Sequence, residues 1–329
     1  MSDSPKVPNR RQFLSTAGLM GAGAVLASCA PTIAAKPDKG NLDATILNFA
    51  LNLEYLEAAF YLAAVGRLGE LEALEPANKN AIILPDGSKP AGSSAAQVAF
   101  SGTAARDGTG MTFSSPAVKA YALEIAQDEL NHVKFLRTAL GAAAVSRPVL
   151  DVGPAFGVAA IAATGLAAAG SFSPYTNEPS SDLYFLHGAF IFEDVGVTAY
   201  KGAARLIYDD SANGNLEQAA GILAVEAYHA GEVRTILYAN KDSQTGFGVD
   251  VKTLIGKISD LRAALGDGRD QGIVNANGSA NILPTDGNSI AFSRTPRLVA
   301  NIVFGKVGAT SGLFFPNGLS GDFSKILAL

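Results

Sequence analysis

Two short stretches of this chain place a carboxylate one helical turn before an imidazole. Glu129-Leu130-Asn131-His132 and Glu226-Ala227-Tyr228-His229 both read Glu-x-x-His, and together they use two of the three histidines. A helix turns once in about 3.6 residues, so positions i and i+3 share a face and both side chains reach one ion. An Arg-Thr pair follows each stretch at the same offset, Arg137-Thr138 and Arg234-Thr235. Two more glutamates repeat in the same manner: Glu54 precedes Tyr61 by seven residues, and Glu193 precedes Tyr200 by seven. One Glu from each of two helices, with Glu-x-x-His from each of two others, is the donor set of carboxylate-bridged two-metal sites in helix bundles.

The candidate metal ligands are therefore Glu54, Glu129, His132, Glu193, Glu226 and His229. His132 and His229 are expected as terminal ligands, one per ion. Glu129 and Glu226 are expected to bridge, and Glu54 and Glu193 to bind one ion each. Four carboxylates meeting in an apolar core repel and take up protons, whereas two divalent cations neutralise them. Carboxylate and imidazole donors suit iron and manganese alike, so the expected cofactor is a pair of Fe or Mn ions. Around this set, Asp128 is placed to accept from a ligand imidazole, with Val225 at the matching position of the other stretch. Tyr61 and Tyr200 are placed to contact ligands. Glu57, one turn after Glu54, is the alternative ligand from the first helix; the shared Tyr spacing favours Glu54, so Glu57 reads as a carboxylate on the helix surface or in contact with a ligand. Arg137 and Arg234 read as salt-bridged structural residues. His187 lies six residues before Glu193, off the site face, and reads as structural.

These residues need helices to hold them, and apolar periodicity supplies the helices. The pattern predicts helices over 43–65, 116–140, 182–206 and 214–239, with a fifth over 250–265 and a short one over 296–304. Ser115-Pro116 marks the start of the second and Gly141 its end. Residues 66–115 form a long Gly-, Ser-, Pro- and Asn-rich connection. The apolar run at 155–170 reads as a helical crossover, too short to span a bilayer. It lets the second helix pair return beside the first. The fold expected is all-α: a four-helix bundle over 42–240, then a helix and an irregular tail over 241–329 that wraps it.

The first 29 residues read as an address. Arg10-Arg11 precedes Phe13 and Leu14 and a short apolar run to Ala27, which resembles a twin-arginine export signal. Leu26-Ala27-Ser28-Cys29 resembles a lipobox, which makes Cys29 the lipidation candidate; an ordinary cut near Ala34 is the alternative. Residues 30–41 read as a tether. Export to the periplasm or cell envelope follows, with the membrane touched through a lipid anchor alone. As the only cysteine, Cys29 excludes an internal disulfide and a Cys-based zinc site. A net charge of −5 without a long basic run argues against a nucleic-acid partner.

The segments 47–61, 114–141, 188–204 and 221–238, and 283–296 and 312–321 in the tail, resemble the ferritin-like family of plant desiccation-related proteins and their bacterial relatives. The resemblance implies a ferritin-like bundle and a link to stress or drying, without a settled reaction. Two functions are expected from here. One is redox chemistry of a metal pair with dioxygen or peroxide. The other is a non-enzymatic envelope protein whose metal is structural or vestigial. A homo-oligomer stays open; an iron-storage shell is disfavoured by the anchor, the insertion and the tail.

Overall fold

Helix α1 (Asp43–Ala64) has no polar face: only Ala44, Thr45 and Ala50 escape burial. A helix apolar on every side belongs at the centre of a fold, and the rest of the chain is laid around it. The computed structural model describes residues 41–85, 100–176 and 181–329. The leader, Cys29 and nearly all of the tether lie outside the described residues.

After α1 the chain makes a short helix α2 (Leu68–Ala73) and a two-residue strand β1 (Ile82–Ile83). Both lie within the connection that composition reads as irregular. Leu68 and Leu71 are buried, so one apolar turn suffices to fix α2. Gly66 and Gly110 let the two ends of this connection cross closely. Both have positive φ, and a Cβ on Gly110 would stand 2.5 Å from the Ala64 carbonyl oxygen.

Helix α3 (Pro116–Leu140) opens with Ser115 as its cap, accepting from the Val118 amide, and Pro116 in the first turn. It ends at Gly141, whose φ is +55°. Its buried residues recur at helical spacing: Val118, Ala122, Ile125, Ala126, Glu129, Leu130, His132, Val133 and Leu136. The opposite face is exposed, as expected for an outer helix. Strand β2 (Leu150–Asp151) pairs in parallel with β1, Ile82 opposite Leu150. Helix α4 (Pro154–Thr164) forms the crossover and stops at Gly165, φ +70°.

The second pair repeats the first. Helix α5 (Ser181–Ala204) is buried along most of its length, like α1, and α6 (Asn215–Ala239) buries one face, like α3. Helix α1 packs on α3, α5 on α6, and α1 meets α5. At the start of α1, Asp43 accepts from the Tyr208 and Asp209 amides and the Asn215 side chain, tying the pairs together. The architecture is the expected all-α bundle; the helices of the two pairs end within two residues of those the periodicity predicts, while the crossover helix expected over 155–170 stops at Thr164.

The tail adds α7 (Val251–Leu265), capped by Asp250, then α8 (Pro296–Val303) and α9 (Ser324–Leu327). A buried ion network holds it to α5. Asp194 takes Arg234 of α6 and Arg262 of α7, each at 2.8 Å, and Asp270 takes Arg262 and Arg294 at 2.8 and 2.5 Å. Gly202 lets the tail backbone touch α5; a Cβ there would stand 1.8 Å from the Arg294 carbonyl oxygen. Among the described residues no helix is long and apolar enough to cross a membrane.

Candidate metal centre

The six residues singled out by spacing converge inside the bundle. Glu54 comes from α1, Glu129 and His132 from α3, Glu193 from α5, and Glu226 and His229 from α6. The four glutamates are sealed, at 0–1% exposure, while His132 and His229 keep 8% and 5%. The carboxylates are therefore sealed on all four helices, and the imidazoles keep the slight exposure.

Two overlapping groups result. Glu54, Glu129, His132 and Glu226 each bring a donor atom within 4.8 Å of the others, and Glu129, Glu193 and His229 do the same. His132 Nδ1 lies 3.1 Å from Glu54 Oε2, 3.5 Å from Glu129 Oε2 and 3.6 Å from Glu226 Oε1. His229 Nδ1 lies 3.1 Å from Glu129 Oε1 and 3.6 Å from Glu193 Oε2. Glu129 thus reaches both imidazoles through its two oxygens, as a bridging carboxylate must. Glu226, expected to bridge as well, falls in the His132 group alone. Its other oxygen lies over α5 at Gly196.

Unpartnered atoms test whether a cation fits. Buried polar groups are almost always hydrogen-bonded. Here both oxygens of Glu129, both of Glu226, Glu193 Oε2 and His229 Nδ1 are buried without a hydrogen bond. They are five carboxylate oxygens and one imidazole nitrogen, and negative oxygens gathered in one apolar volume call for positive charge. The donor set of carboxylates and imidazoles suits a hard or borderline divalent metal.

Protons show the same demand. Burial pushes Glu54 up to about 7 and Glu193 up to about 8. Glu226 is driven well above the usual carboxylate range by burial and by Glu129 and Glu57. Burial opposes charge on His132 and His229, yet the neighbouring carboxylates raise both to about 11. Burial also opposes the charge of Glu129, but the two flanking imidazoles hold it well below the usual range. Without a metal, the centre fills with protons.

The surrounding groups sharpen the picture. The Tyr61 hydroxyl of α1 donates to Glu193 of α5, and the Tyr200 hydroxyl of α5 donates to Glu54 of α1. Each tyrosine thus serves the glutamate of the other helix. Asp128, on α3, accepts from His229 Nε2 of α6 at 3.3 Å, leaving Nδ1 to face the donors. Arg137 binds Glu75 at 2.8 Å and the Tyr55 hydroxyl at 2.5 Å, while Arg234 binds Asp194 and three tail carbonyls. His187 stays off the centre; its Nδ1 meets the Leu183 carbonyl oxygen and burial pushes it down to about 4.

Glu57 corrects the surface expectation. It is 5% exposed and feels the charges of Glu129, Glu54 and Glu193. The surface expectation assumed an amphipathic helix, but α1 presents no middle face to water. Spacing also missed Gly196 and Asp194; the one available signal was the position itself, next to or one turn after Glu193.

Comparison with known proteins agrees with this geometry. A ferritin-like domain family model matches residues 42–239. The chain is 29% identical to the desiccation-related protein PCC13-62 of Craterostigma plantagineum, over 89% of this chain and 87% of that protein. It is 24% identical to the ferritin-like catalase Nec2 of Nesocodon mauritianus, over 88% of this chain and 86% of that protein. No solved structure matches it significantly.

Proposed function

The chain belongs to the ferritin-like domain family, and from that premise we propose that its buried centre holds two ions, iron or manganese, and carries out redox chemistry with dioxygen or peroxide in stress protection. The observation that carries this reading is the convergence of donor atoms from four helices, those of Glu129, Glu193, Glu226 and His229 including atoms without a hydrogen bond. Glu54, His132 and Glu226 would hold one ion, Glu193 and His229 the other, with Glu129 between them. Bound there, the pair would supply two-electron chemistry such as the conversion of two hydrogen peroxide molecules to dioxygen and two waters. The protein's own part is to fix and insulate. Tyr61 and Tyr200 orient the glutamates across the helix pairs, Asp128 sets the tautomer of His229, and the apolar walls of α1 and α5 exclude bulk water. The relative named a catalase and the relative named for desiccation support the peroxide and stress parts of the reading.

Protein purified without a metal-binding tag and loaded with Mn or Fe is expected to consume peroxide or to change colour with oxygen; neither response with a full metal complement removes the redox reading. A second reading, a structural metal in a non-enzymatic protein, is favoured by the near-complete burial of the donors. Under it, chelation lowers the melting temperature while Glu129→Gln leaves stress protection intact. The leader at 1–29 carries the further proposal of twin-arginine export after folding, with Cys29 lipidated.

A further inference from the structure

The repeated helix pair breaks its own pattern at one place inside the centre. Three residues after Glu54 stands Glu57; three residues after Glu193, at the equivalent position of α5, stands Gly196. The two positions face each other. A Cβ on Gly196 would lie 2.3 Å from Glu226 Oε2 and 3.4 Å from Glu57 Oε1. The missing side chain is what admits both carboxylates against the α5 backbone. Glycine inside a helix is destabilising by about 1 kcal/mol relative to alanine, so the space it leaves here has a structural use.

Glu57 has no local reason to be where it is. The residue is 5% exposed, and among the described residues no hydrogen bond or ion pair holds its carboxylate. A carboxylate drawn this far out of water gains from a nearby cation. Its nearest charges are those of the centre itself: Glu129, Glu54, Glu193 and His132 act on it. Glu226, the oxygen neighbour it shares at Gly196, belongs to the His132 group and not to the His229 group.

We propose that Glu57 is a seventh ligand, bound to the ion held by Glu54, His132 and Glu226, and that the Glu57–Gly196 mismatch makes the two ion positions unequal. The inference rests on the metal-pair reading above and adds to it a specific asymmetry. It places four carboxylates, counting Glu129, around one ion and two around the other. The richer position favours the more highly charged ion.

The test is a Mn(II) titration of the full metal-depleted chain, followed by elemental analysis and Mn(II) electron paramagnetic resonance, on wild type and on Glu57→Gln. Wild type is expected to take two ions with separable affinities. In Glu57→Gln one affinity is expected to fall by more than about tenfold with a changed resonance signal, the other staying put. Wild type with two ions and a Glu57→Gln titration that superimposes on it overturns the inference and leaves the metal pair standing. Wild type that takes up no ion overturns both. Gly196→Ala provides an independent arm, since its methyl must displace Glu226 and crowd Glu57. It is expected to weaken the same ion, and an unchanged titration again counts against the inference.

Discussion

The α1–α3 pair and the α5–α6 pair present the same donors at the same offsets, yet they are fastened to different parts of the chain. Arg137 of the first pair reaches Glu75, next to α2, and is partly exposed; Arg234 of the second is fully buried between Asp194 and the tail. Asp128 supports His229, while Val225 leaves His132 without the reciprocal carboxylate. Glu57 faces the centre where Gly196 opens space. The ligands and the crossed tyrosines obey the repeat, while Asp128, Glu57 and the partners of the two arginines depart from it. Such a duplication keeps one site while letting its two halves be tuned separately.

The largest expected effect lies in what both halves share, the demand for positive charge. At free metal about 1,000-fold above Kd, each site should add about 4 kcal/mol to the stability. The increment should grow with pH. Glu54, Glu193, His132 and His229 hold protons more tightly folded than unfolded, with folded values of about 7, 8, 11 and 11. The metal-free protein therefore loses stability as pH rises from the ordinary carboxylate range through 7 and 8 and onward. Metal needs those protons gone, so its stabilisation rises over the same window. Melting curves with chelator and with Mn at pH 5 and pH 8 check this; a smaller increment at pH 8 contradicts it.

The next effect separates the halves. Arg234→Ala leaves Asp194 with one of its two buried cations and should cost about 3–5 kcal/mol. Arg137→Ala removes a partly exposed pair and should cost about 1 kcal/mol. Urea denaturation of both variants measures the gap, and equal losses would erase the distinction. Tyr61→Phe and Tyr200→Phe probe the crossed bonds, where the halves should behave alike. Each should lose about 1–3 kcal/mol in the metal-free protein. A loss confined to one tyrosine would show that the crossing is one-sided. The smallest effect is expected from Asp128→Asn, about tenfold in affinity for the ion beside His229, read by competition with a chelator.

How much of this was written in the linear sequence differs by length scale. Helix spans, the Ser115 start and the Gly141 end of α3, and the two Glu-x-x-His pairs are local, and periodicity with capping chemistry exposes them. The crossing of Tyr61 to Glu193 and Tyr200 to Glu54 is not local. Seven-residue spacing puts each tyrosine on the face of its own glutamate, but only packing of α1 on α5 decides which glutamate it meets. Of the readings open for Glu57, only the surface one fails, because a helix read alone is assumed to have a wet side. Glu226 was given two ions by symmetry, whereas its carboxylate leans over Gly196. Asp194 of α5 and Arg262, Asp270 and Arg294 of the tail carry no repeating pattern in the sequence, so their network appears only in three dimensions.

The central claim is that this arrangement of donors binds a pair of metal ions. Elemental analysis of protein purified without a metal-binding tag tests it directly, with His132→Ala as the control. Two Fe or Mn ions per chain are expected, with a markedly lower content in the variant. Protein that carries no stoichiometric metal after loading, or a variant that retains the full complement, would contradict it.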